Sequence, residues 1–250
     1  WQEAYELIDD AVRRMPRDAR YRQEKAGLLR LCATYWVDCD LAKGKANDRA
    51  LAELNKATTL RKNYGKALAA RALSERDARK SPAVYAATAS AALHAAPNDP
   101  QVTALVIELV LSRWDELGQG ANEFKTTIIS ATNSPRNLLN QRAHQLLDSF
   151  AKNIQDPHFF AWLAESLISQ EASTRNARLI LQHWSRWPVQ VRPQLLDRLS
   201  SLLSDRRVSQ VLMQIASEEK KLPLVCTFLG REANSARACN DQFMLKSFTN

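Results

Sequence analysis

The chain has 250 residues, 45% apolar and 25% charged, which is enough for a sizeable core and outside the range of disordered chains. Its 6 glycines and 9 prolines are too few for the turns of a sandwich or barrel, or for the strand-to-helix turns of a doubly wound sheet. The net charge of +8 is uneven, with +6 in residues 1–80, −3 in 81–170 and +5 in 171–250, so the basic ends suit either an anionic partner or plain solvated helix faces.

The local signals are helical along the whole chain. Ser81-Pro82, Asp99-Pro100, Ser134-Pro135 and Asp156-Pro157 each place a capping residue before a proline. The cap accepts from free backbone N–H groups, and proline loses nothing at the first helical position. Apolar residues at three-and-four spacing agree, as in Val102, Leu105, Val106, Leu109, Val110 and Leu117. Helices are expected near 1–15, 18–43, 47–61, 64–79, 82–96, 99–117, 121–132, 135–153, 157–170, 173–185, 189–204, 206–220 and 222–230. Links of two to five residues make neighbours antiparallel, so the chain reads as a series of helical hairpins. No apolar run is long enough to span a membrane. The first residue is Trp1 rather than Met, which suggests a processed or trimmed chain; membrane attachment is expected only through a segment upstream of Trp1.

A spacing of Ala, four on to a bulky residue, three on to Ala and five on to Pro marks the second helix of a tetratricopeptide repeat. Ala4, Ile8, Ala11 and Pro16 fit all four places. Ala50, Leu54 and Ala57 fit three, with Lys62 in place of proline, and Ala89, Ala92 and Pro97 fit three, with Tyr85 in place of the first alanine. The expected fold class is therefore all-α, a tetratricopeptide-like helical-hairpin solenoid over 1–117, with an irregular helical extension over 118–250 packed continuously on it. Such a stack presents a concave recognition surface.

Little in the chain points to chemistry. His94, His144, His158 and His183 are never three or four residues apart, so no helical metal pair exists. Asp9-Asp10, Asp115-Glu116 and Glu218-Glu219 are adjacent residues that diverge by about 100° on a helix, not a converging acid/base pair. Gly44-Lys45 lacks the upstream glycine of a phosphate loop, and Gly118 and Gly120 read as a helix end. No metal, cofactor or catalytic residue is assigned. RNA binding by helical repeats needs a regular code of side chains that these irregular units lack, so no nucleic-acid partner is expected. Of six tryptophans, Trp184 and Trp187 around Arg186 are the best candidates for an exposed aromatic surface, although packing at a helix end is the commoner role. Arg71 and Arg76, on one helix of the basic N-terminal region, are the candidate contacts for an anionic partner.

The cysteines form two local pairs. Cys32 and Cys39 are two helical turns apart, about 10.5 Å on an unbroken helix, too far to bridge unless the helix is interrupted. Cys226 and Cys239 enclose Gly230, Asn234 and Ser235, which can turn the chain back. Two local pairs suit an oxidising compartment, and four buried thiols in a cytosolic protein are the other reading.

Four stretches, WQEAYELIDDAVRRMPRDARY, ALAELNKATTLRKNYGKALAARAL, ALHAAPNDPQVTALVIELVLSRWDEL and LVCTFLGREANSARAC, carry a resemblance. In order and spacing the chain resembles the tetratricopeptide-like accessory proteins encoded with bacterial exopolysaccharide and biofilm-matrix machinery, the VpsP type. It departs from them at Lys62-Asn63, where the family has proline. The resemblance implies a periplasmic or otherwise extracytoplasmic scaffold, non-catalytic, binding proteins of a polysaccharide assembly complex, with acidic polysaccharide as a secondary partner. Together with the turn-prone segment between them, it implies a Cys226–Cys239 disulfide. A polysaccharide-acting enzyme domain and a cytosolic helical-repeat adaptor are the alternatives.

Overall fold

The computed structural model describes residues 1–35, 43–170 and 173–200. The expected helices beyond 200, Trp36, Cys39, Cys226 and Cys239 lie outside the described residues. About 81% of the described residues are helical and none is in a strand, so the fold is all-α. In chain order the helices are α1 (Gln2–Arg14), α2 (Ala19–Tyr35), α3 (Lys43–Leu60), α4 (Gly65–Asp77), α5 (Pro82–Ala95), α6 (Pro100–Ser112), α7 (Trp114–Leu117), α8 (Lys125–Thr132), α9 (Asn137–Ala151), α10 (Pro157–Ser169), α11 (Thr174–Gln182) and α12 (Arg192–Ser200). Short 3-10 segments cover Gly118–Phe124 and Trp184–Arg186. The chain divides into two compact units after Leu146, within α9.

Three of the four Ser/Asp-Pro pairs start a helix at the proline. Asp99 accepts from the backbone N–H of Gln101 at 2.8 Å, and Asp156 from that of His158 at 2.9 Å. Pro82 follows Ser81 without a side-chain bond. Pro135 lies instead in a turn, where Ser134 Oγ accepts from Arg136 N at 3.2 Å, and α9 begins at Asn137. The helix expected over 99–117 breaks at Arg113, whose φ of −134° leaves the helical region before Trp114 starts a further turn. Gly118 then takes φ +53°, a left-handed conformation that glycine adopts without steric cost.

In the first unit α2 packs along α3, α4 on α3, α5 on α4, and α6 on α4 and α5. The seams are made by small residues. Ala26, Ala50, Ala57 and Ala67 are fully buried around Leu29 and Leu54, with Tyr5 and Tyr64 closing the edge. Small side chains let helix axes approach closely, and the buried leucines supply most of the hydrophobic gain.

The same turn follows α1, α3 and α5. Met15, Arg61 and Ala96 each donate to the carbonyl four residues back, and the N–H groups of Asp18, Tyr64 and Asp99 donate to the carbonyls of those three residues. The turn forms equally over Pro16, Lys62 and Pro97, so it does not depend on the proline. Tyr64 Oη donates to Gln23 Oε1 at 3.1 Å, fixing one of these turns to α2.

The described part of the second unit packs around aromatic rings. Phe160 meets Phe159 and Trp187 edge-on, with centroids 5.2 Å away in both cases. Arg186 lies over the Phe160 ring and donates to the carbonyls of Lys152 and Ile154. Arg192 covers Trp184 and donates to the carbonyl of Trp187 at 3.0 Å. Trp184 and Trp187 are both buried, in the helix-end packing role rather than on the surface.

Candidate functional site

The structure assembles a cleft that no sequence spacing announced. Its volume is about 430 Å³, within the usual range of ligand pockets. It lies in the first unit, where the α5–α6 turn faces α8 and the α8–α9 link. Leu93, Pro97, Ala131, Pro135 and Leu139 supply the apolar lining. Hydroxyls come from Thr103 on α6, from Thr126, Thr127 and Ser130 on α8, and from Ser134. Residues 126 and 130 are one helical turn apart, so they share a face.

Two of these hydroxyls are already engaged. Thr103 Oγ1 donates to the Asp99 carbonyl at 3.0 Å, and Ser134 Oγ caps Arg136 N. Thr126, Thr127 and Ser130 make no side-chain hydrogen bond among the described residues and present both donors and acceptors to the cleft. Arg136 is its single charged lining residue; its guanidinium donates to the carbonyl of Asn98, which ties the two turns together. The lining holds no carboxylate, imidazole or thiol. Its chemistry is hydrogen bonding and one fixed positive charge, which suits recognition of a polar chain carrying an occasional carboxylate.

Arg71 and Arg76 lie on α4, and each is paired. Arg71 Nε donates to Glu75 Oε1 at 2.8 Å, on a nearly fully buried carboxylate. Arg76 holds Asp77 at 2.8 Å and donates to Ser112 Oγ at 3.1 Å, which links α4 to α6. Arg30 of α2 approaches Asp77 at 3.8 Å; burial lowers the affinity of its guanidinium for a proton, and the Asp77 carboxylate opposes this. An anion approaching Arg71 or Arg76 meets a guanidinium that already holds Glu75 or Asp77. Further ion pairs join α2 to its neighbours: Arg22 to Glu53 at 2.8 Å and Lys25 to Asp9 at 2.6 Å. The Lys25 pair holds the Asp9 carboxyl below its ordinary value.

Cys32 is buried on α2 and disulfide-bonded; its partner lies outside the described residues. Trp1 packs against the cluster of Cys32, Ala33 and Ala46. Among the described residues no three His, Cys, Asp or Glu side chains converge to hold a metal, and no helix is long and apolar enough to cross a membrane.

The four histidines remain apart. His94 and His144 each bond through Nδ1 to the carbonyl four residues back, at 2.8 and 2.9 Å. His183 is different, because it is buried at the end of α11 with Nε2 3.5 Å from Asp148 Oδ1. Burial holds its imidazole below the ordinary value of 6.5; Asp148 pulls upward, while Arg186 and Lys152 push further down. The folded state therefore binds this proton more weakly than the unfolded chain. Stability present above pH 6.5 is lost as pH falls through the lowered folded value. Melting temperatures between pH 8 and pH 5, taken on the native protein and on His183→Asn, test this. The native protein is expected to lose more stability on acidification than the variant. Parallel curves would remove His183 from the acid response.

No protein-family model matches the chain, and neither a curated protein nor a solved structure shows a significant match.

Proposed function

We propose that the chain is a non-catalytic helical scaffold that binds protein partners in exopolysaccharide assembly or export, outside the cytoplasm. The observation that carries the recognition role is the hydroxyl-lined cleft, where uncommitted Ser and Thr side chains surround one guanidinium. A polar peptide segment with a carboxylate opposite Arg136 satisfies that lining. The recurrent turn after α1, α3 and α5 and the alanine seams joining α2, α3 and α4 support a tetratricopeptide-like stack in the first unit. The polysaccharide setting rests on the resemblance of the four sequence stretches. The Cys32 disulfide supports an oxidising compartment, because such bonds persist where thiols are not kept reduced.

A photo-cross-linking residue in place of Ser130 tests the role in cells of the source organism. It is expected to trap a defined protein of the polysaccharide machinery, and Arg136→Glu is expected to weaken that product several-fold. The same cross-linker at exposed Lys62, on another turn, serves as the control. Equal trapping at both positions, or indifference to Arg136→Glu, would sink the cleft as the binding site. Hydrolysis or lysis of acidic polysaccharide by the purified chain would overturn the non-catalytic reading.

A further inference from the structure

We propose that the edge of the first unit formed by the turns after α1, α3 and α5 and by the α8–α9 link is a contact surface for an anionic lipid membrane. The structure sets these four connections side by side. Tyr64 Oη, in the turn after α3, donates to Gln23 Oε1 of α2 at 3.1 Å. Hydrogen bonds from Arg20, helped by the charge of Arg61, hold the Asp18 carboxyl below its ordinary value, so the turns after α1 and α3 share one field. Lys66, in the first turn of α4, approaches Asp99 in the turn after α5 at 3.8 Å. Arg136, in the α8–α9 link, donates to the Asn98 carbonyl of that same turn.

This edge carries positive charge that the fold does not neutralise. No Asp or Glu occurs from residue 54 to 74 or from 124 to 147, so the turn after α3 and the α8–α9 link hold no carboxylate of their own. Arg17 and Lys62 are exposed and make no ion pair or side-chain hydrogen bond among the described residues. Arg61 lies over the Tyr64 ring at 5.1 Å, and the nearby Asp18 is already held by Arg20 at 2.7 Å. Arg136 bonds a neutral carbonyl. By contrast Arg71 and Arg76 of α4 are each held by a carboxylate.

Charge alone suits any polyanion. The apolar side chains select the bilayer. Met15 is 54% exposed, Leu60 43% and Leu138 82%. Each stands within two residues of an uncompensated charge: Met15 beside Arg17, Leu60 beside Arg61 and Leu138 beside Arg136. A hydrophilic polyanion, such as a glycan or a nucleic acid, leaves these three side chains in water. A bilayer takes them into the boundary between headgroups and acyl chains, while its phosphates meet the guanidinium and ammonium groups. Pro97 and Pro135 belong both to this edge and to the lining of the cleft, so a partner seated in the cleft is held next to the bilayer. The membrane contact does not depend on the scaffold reading, and its test leaves the cleft residues unchanged.

Flotation of the 250-residue chain with vesicles of equal parts phosphatidylethanolamine and phosphatidylglycerol tests the proposal. Binding is expected at low salt, with none to phosphatidylcholine vesicles and a steep loss as salt screens the exposed charges. Arg61→Glu with Lys62→Glu should weaken binding at least about tenfold, since each basic residue near an anionic surface is worth roughly fivefold. The same reversal at Arg79 and Lys80, in the α4–α5 turn at the opposite end of the hairpins, should leave binding largely unchanged. Met15→Ser with Leu60→Ser keeps every charge and should still weaken binding several-fold. All six positions are exposed, and unchanged helical circular dichroism verifies the fold of each variant. No binding at low salt overturns the proposal, as does an equal loss from the two charge reversals, which reports net charge alone. Binding that ignores Met15→Ser with Leu60→Ser assigns the edge to a hydrophilic polyanion and overturns the lipid contact.

Discussion

Replacing Trp187 by alanine is expected to destabilise the second unit by about 3–5 kcal/mol, the range for removing a large buried aromatic side chain. Trp187 is 1% exposed. Its ring meets Phe160 edge-on, an arrangement favourable beyond its buried area. Its Nε1–H donates to the Ile180 carbonyl at 2.7 Å, at the end of α11. Alanine therefore opens a cavity and strips a buried carbonyl of its partner in one step. Phenylalanine separates the two effects, because it keeps much of the volume and loses the donor. Its cost should be smaller, about 1–3 kcal/mol. Urea denaturation followed by helical circular dichroism measures both without relying on tryptophan emission. An alanine variant within about 1 kcal/mol of the native protein would mean that the rings around Phe160 are not the core of this unit.

The contrast between these elements shows which physical signals survive in a sequence. Capping is local chemistry, so Asp99-Pro100 and Asp156-Pro157 announced α6 and α10 to the residue. Ser134-Pro135 obeyed the same rule on paper. There the serine caps Arg136 in a turn, and the first helical bond reaching back is Asn140 N to the Arg136 carbonyl. At this turn Asn140 Nδ2 also donates to the Thr132 carbonyl, eight residues back, a contact that no four-residue pattern contains. Likewise the apolar spacing from Val102 to Leu117 runs through Arg113, because Leu117 remains buried after the break. Arg71 to Glu75 is an ordinary i, i+4 pair and could be read from spacing, whereas Arg76 to Ser112 spans 36 residues and could not. The cleft is wholly of the second kind. Its lining runs from Leu93 to Leu139, and its hydroxyl residues individually resemble common helix-surface residues. His183 and Asp148 are brought together in the same way. The alanine spacing lay between these extremes: it marked the right faces on α3 and α5, and on α1 it marked a face that α2 leaves largely open.

Gly65→Ala is expected to destabilise the first unit by about 1–3 kcal/mol, the usual cost of overpacking a well-packed seam. Helix propensity predicts the opposite sign, since alanine in a helix is favoured over glycine by up to about 1 kcal/mol. The seam decides. Gly65 is the first residue of α4, and it lies against the end of α5. A Cβ placed there would sit 2.5 Å from the Ala96 Cβ and 3.2 Å from the Ala92 carbonyl oxygen. Neither obstacle is the far end of a flexible side chain, so the helices themselves must shift. Ala96→Gly removes the closer atom. Ala96 follows the last residue of α5 with φ −148° and ψ 65°, outside the helical region, so glycine there should cost little alone. The double variant should therefore recover most of the stability that Gly65→Ala loses, with the Ala92 carbonyl accounting for the remainder. A double-mutant cycle by urea denaturation reads the coupling directly. Additive effects, or a Gly65→Ala variant as stable as the native chain, would show that α4 and α5 are not held at the separation their alanine seam implies.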